Sequence, residues 1–161
     1  MPPGWIHETI DMIAWGRVYW SVHKEKDRYW RELGTKHRIM EHPLYQQGLA
    51  CVRGGVTLEE VLNFMYDEAK KRTRYDWEEG LSADIVEARQ ANTAHDIWDL
   101  LWDDFTPVER VGIARAFRDV VLRPDAYRNL FMPNDYVSMR SSRPWQVLQT
   151  YVSSRDLEDL I

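Results

Sequence analysis

A chain of 161 residues, 44% hydrophobic and 29% charged with a formal charge of −5, has the size of one compact domain and can bury well over half of its unfolded surface without staples. Its acidic and basic residues are interleaved, which excludes a global pull toward nucleic acid or an anionic membrane, and no run approaches the roughly 18 apolar residues of a membrane span. The single cysteine, Cys51, excludes an internal disulfide, and its apolar setting "GLACV" is simplest in a reducing, cytoplasmic environment.

The opening "MPPGWIHETIDMIAWGRVYW" lacks a basic leader and a small-residue cleavage site, so it does not read as a secretory signal. Apolar residues recur there at three- and four-residue steps, Ile6, Ile10 and Ile13 beside Trp5, Met12, Trp15, Tyr19 and Val22. That spacing predicts one long helix over 5–33, stopped by Gly34. Pro43 opens a short helix over 43–53 that ends at Gly54-Gly55. Thr57 with Glu60 forms a capping box for a helix through Leu58, Val61, Leu62, Met65 and Ala69 to Glu79, with Gly80 as its stop.

Ser82 caps the next helix, whose expected core face is Ile85, Ala88, Ala91, Ala94 or His95, Trp98, Leu101 and Phe105. Thr106-Pro107-Val108-Glu109 repeats the cap with proline at the first helical position, and Pro124 closes that helix. Residues 124–143 carry two prolines and no sustained period, which predicts an ordered loop packed on the helices. Pro144 opens a last helix with Trp145, Leu148, Tyr151 and Val152 on one side, and 153–161 extends it or docks separately. Nothing alternates with period two long enough to demand a sheet. The expectation is therefore an all-α single domain over 1–161, five to seven helices with mostly antiparallel neighbours because the connections are short.

Two constellations carry metal-ligand chemistry. His23 and Asp27 stand one helical turn apart, and His37 and His42 follow a glycine turn that can fold them back, so two or three imidazoles with a carboxylate suit zinc, iron or manganese. The competing reading is a set of exposed histidines near a helix end, where cations favour the dipole. The second group is His95, Asp96 and Asp99 in "HDIWDLLWDD", continued by Asp103. A His-Asp dipeptide on a helix invites comparison with phosphohydrolases that hold a divalent ion as Lewis acid. With Glu60 or Glu68, the aspartates invite comparison with the Mg²⁺ carboxylates of all-helical nucleotide pyrophosphohydrolases, whose compact Glu-x-x-Glu and Glu-x-x-Asp pair is missing here. An acidic solvated face opposite Trp98 and Leu101 explains the same residues with no ion.

Arg89 and His95 match the Arg-x5-His spacing of a group of helical ribonucleases, a pattern loose enough to arise by chance, and the basic run "KKRTR" at 70–74 reads as i, i+4 ion pairs rather than a phosphate track. A phosphate-cradling loop, a Cys-x-x-Cys pair, a nucleophile elbow and a dinucleotide fingerprint are all lacking. No cofactor is expected, and a divalent ion, Zn, Fe, Mn or Mg, is the one the residues could accommodate.

Eight tryptophans are more than a helical domain of this size readily hides, and Trp5, Trp15, Trp20, Trp30 and Trp145 are the candidate contact residues. The leading expectation is an interaction or assembly protein that binds a protein partner or itself, with no membrane and no nucleic acid. The rival is a metal-dependent hydrolase of phosphoesters or nucleotides using one of the two His/Asp groups.

Overall fold

The computed structural model describes residues 3–23, 53–54 and 58–161. The expected short helix over 43–53 lies almost entirely outside them, as does Thr57 of the first capping box. The described residues are mostly helical and contain no strand. Their elements are α1 (Gly4–Trp15), α2 (Leu58–Arg72), α3 (Arg74–Glu78), α4 (Ala83–Asp104), α5 (Pro107–Leu122), the 3-10 turn η1 (Pro124–Leu130), α6 (Tyr136–Ser141), α7 (Arg143–Ser153) and the 3-10 turn η2 (Leu157–Leu160). No described helix is long and apolar enough to cross a membrane.

The contacts gather into two compact units. One comprises Tyr19–Asp104 with Met1, and the other Pro2–Val18 with Phe105–Ile161. In the first, α2 packs on α4, and α3 touches both. Thr73 separates α2 from α3 at φ −102°, ψ 7°, where its hydroxyl donates to the Ala69 and Lys70 carbonyls and accepts the Gln90 amide at 3.0 Å. The continuous helix expected up to Glu79 therefore breaks at a threonine that competes for its own backbone. Gly80, at φ 77°, stops α3 as expected. Of the basic run before it, Arg74 donates to Glu78 one turn on at 3.0 Å, as the i, i+4 reading expected.

In the second unit, α1 packs on α5 and α7, which also pack on each other. The capping box at Thr106 is present in both directions, with proline in the first turn of α5. The helix expected over 5–33 ends instead at Trp15. Gly16 adopts φ 75° and its N–H returns to the Met12 carbonyl at 3.1 Å. A Cβ there would meet Pro133 at 3.1 Å, so the position needs glycine for its backbone angle and for the close approach. Periodicity ran on past the break because Tyr19 and Val22 keep the apolar spacing where the described residues 20–23 are again helical.

Residues 124–143 are more regular than the loop expected of them, since η1 and α6 occupy much of the stretch. Asp135 caps α6 by accepting from the Ser138 N–H at 3.0 Å. Phe131 lies edge-on to Tyr136 and to Trp145, with ring centroids 5.2 and 5.5 Å apart. Leu160 in η2 is buried, and its carbonyl accepts the Trp5 indole N–H at 2.6 Å.

Candidate metal centre

α4 forms because residues 83–104 hold to the helical period, but the pattern understated how much of it is covered. Every residue from Ala94 to Trp102 is buried, including His95, Asp96 and Asp99. Asp96 is 7% exposed and Asp99 1%, so the solvated acidic face offered by the sequence is not what this helix presents. At its C-terminal end Asp103 and Asp104 are exposed. Ile85, expected in the core, is exposed, and Val86 is buried in its place. Burial of an ionisable side chain is tolerated when another polar group meets it.

Such a meeting occurs at His95. Its Nε2 lies 3.0 Å from Asp99 Oδ2, one helical turn further along α4. On its other side, its Nδ1 faces the Nδ1 of His23 at 2.7 Å, with the ring centroids 4.8 Å apart and the planes tilted by 34°. A carboxylate beside Nε2 favours the tautomer with its proton there, which leaves Nδ1 as a lone pair. Two Nδ1 atoms at hydrogen-bond distance then share one proton, with His23 as donor, or turn their lone pairs to one cation.

The separation of 2.7 Å is that of a hydrogen bond, and the second use needs the pair to open. Imidazole nitrogens bind zinc at about 2.0–2.1 Å, so two of them on a tetrahedral ion stand about 3.3 Å apart. The pair would open by about 0.6 Å from its present separation, a small tilt of two rings. Asp99, 3.0 Å from the far nitrogen of His95, stands where the carboxylate of a carboxylate–histidine–metal triad would stand.

His23 reaches α4 from the turn at residues 20–23, where its N–H donates to the Tyr19 carbonyl at 3.2 Å. Tyr19 itself donates its phenol O–H to Glu87 Oε2 at 2.7 Å. The structure thus joins one member of each sequence-predicted group, His23 from the first and His95 with Asp99 from the second, where the sequence had set the groups as rivals. Asp27, His37 and His42 lie outside the described residues. Asp96 is buried one residue from His95, Glu60 is exposed, and the side chain of Glu68 is outside the description.

Tyr19 and Glu87 were not singled out from sequence, and no local pattern marks a contact across 68 positions. Arg89 does not partner His95 as the ribonuclease spacing would have it; its guanidinium contacts Asp76 at 2.5 Å.

Of the candidate contact tryptophans, Trp5 and Trp145 are buried, which puts their area in the core and corrects their assignment to a contact surface. Trp15 is half-buried and Trp20 is 59% exposed, while Trp30 lies outside the described residues. Trp77 and Tyr75, not among the candidates, are 50% and 71% exposed on α3. No family model, curated protein or solved structure matches the chain, so the centre stands on its own geometry.

Proposed function

We propose that this chain is a metal-dependent hydrolase acting on phosphoesters or nucleotides, with His23 and His95 as metal ligands and Asp99 as the group that orients His95. The supporting observation is the approach of two buried imidazoles, 72 positions apart in sequence, to 2.7 Å with a carboxylate behind one of them. A zinc, iron or manganese ion at the two Nδ1 atoms would keep positions for water and substrate oxygen. The chemistry it supplies is polarisation of a phosphoryl oxygen and a lowered pKa for bound water. A cytoplasmic location and the lack of an organic cofactor go with this reading.

Elemental mass spectrometry of the purified protein, before and after incubation with divalent ions, tests it. The expected result is near-stoichiometric metal that disappears in His23→Ala and in His95→Ala, together with turnover of an activated phosphodiester that is lost in both. A protein that holds no metal under any of these conditions overturns the reading.

A second reading, a helical interaction protein that binds a protein partner or itself, is favoured by the exposed aromatic side chains Trp20, Tyr75 and Trp77 in the Tyr19–Asp104 unit. It expects the histidine variants to be silent and Trp20→Ala or Trp77→Ala to weaken association measured by light scattering.

A further inference from the structure

The metal reading leaves open what sets His23 at its place in the helical turn at residues 20–23. Tyr19 and His23 stand four residues apart, so both project to one face of that turn. Each meets α4. Tyr19 reaches Glu87 and His23 reaches His95, at acceptors eight residues and about 12 Å apart along the helix. The backbone of the turn closes the frame, because the Val22 and His23 N–H groups both donate to the Tyr19 carbonyl, at 3.1 and 3.2 Å. The Tyr19 ring is buried, and its hydroxyl is the group that ties this end of the turn to a charged partner.

From these contacts we infer that Tyr19 and Glu87 form a positioning pair that sets the His23 imidazole against His95, an inference that rests on the metal reading for its consequence but not for its geometry. Neither residue would ligate the ion. Removing the hydroxyl frees the start of the turn, and His23 then samples positions in which its Nδ1 no longer faces that of His95. Supporting groups of this kind carry about 10-fold to 100-fold in metal affinity.

The experiment uses the full chain and two readouts. The first is zinc affinity by competition with a chromophoric chelator. The second is the imidazole ring ¹⁵N and ¹H spectrum of the metal-free protein, with His23 and His95 assigned by substitution. Tyr19→Phe keeps the ring and deletes the bond, and is expected to weaken zinc about 10-fold and to shift the His23 ring signals. Glu87→Ala should match it, and the double variant should add little, as expected for a coupled pair. Glu87→Gln retains an acceptor oxygen and should restore most of the affinity.

If Tyr19→Phe and Glu87→Ala both leave the ring signals and the affinity unchanged, the inference is overturned while the metal centre stands. A parent protein that takes up no zinc sinks the metal reading instead, and the metal-free spectra then decide the positioning claim. A displaced His23 ring in Tyr19→Phe supports it, and an unmoved ring overturns it.

Discussion

The buried half of α4, Ala94–Trp102, and the stretch Pro124–Ser153 keep their polar groups in opposite places. The second region packs Phe131, Tyr136 and Trp145 against one another and leaves its charges at the rim. There Asp125 accepts from Tyr136 at 2.6 Å and from Arg140 at 2.7 Å, and the Arg128 guanidinium lies 4.5 Å from the Tyr136 ring centre. α4 does the reverse. It takes His95, Asp96 and Asp99 inside beside Trp98 and Leu101, where each needs a partner to offset lost hydration. Buried ionisable groups of this kind are what the proposed metal reading rests on, while a rim of ion pairs around an aromatic core is ordinary stabilisation.

The largest effect that tests this contrast is Trp145→Ala. It removes a fully buried indole from the aromatic cluster and should cost about 3–5 kcal/mol in urea unfolding. Trp20→Ala, at an exposed indole, should stay within about 0.5 kcal/mol. A near-equal cost for the two would break the distinction between core and surface tryptophans.

Next is Asp99→Asn, close to isosteric, which keeps the packing of α4 and removes the charge beside His95. Zinc affinity should fall about 10-fold to 100-fold, with a much smaller change in the urea midpoint of the metal-free protein. The opposite pattern, affinity kept and stability lost, would make Asp99 a structural group like those at the rim.

Gly16→Ala puts a methyl group 3.1 Å from Pro133 at a left-handed backbone angle, and should cost about 1–2 kcal/mol. An unchanged melting temperature would show that the break after α1 does not depend on that glycine.

The smallest effect is a pH window confined to the rim. The Tyr136 phenol is pushed up to about 12, first by burial and then by the hydrogen bond it donates to Asp125. Its pKa is raised in the fold, so its contribution is complete below the ordinary value of 10.0 and is lost as pH rises to about 12. Asp125 is held below the ordinary 3.8, first by the Tyr136 hydroxyl and then by Arg140, so its contribution is present above that value and lost as pH falls through the lowered one. In urea titrations Tyr136→Phe should flatten the alkaline loss and weaken the acid one. An alkaline profile unchanged by that substitution would place the loss elsewhere.

Helical class, the starts of α4 and α5, the Gly80 stop and the proline opening the last helix were legible in the residues, because caps and apolar spacing act within a few positions of the chain. Periodicity misled at Gly16 and Thr73. It cannot tell one helix from two that keep the same spacing, and part of what demands glycine at 16 is the approach of Pro133, far away in sequence. The residue types of the centre were legible too, since His23, His95 and Asp99 were all named from the chain.

What the sequence by itself determined was helical local structure and which polar residues were candidates for a site. Only the tertiary structure decided that His23 and His95 face each other at 2.7 Å, that Asp96 and Asp99 are covered, and that Trp5 and Trp145 lie in the core. The physical reason is range. Capping and periodicity are local properties of the backbone, whereas burial and the meeting of two imidazoles 72 residues apart depend on which faces the packed helices turn toward each other.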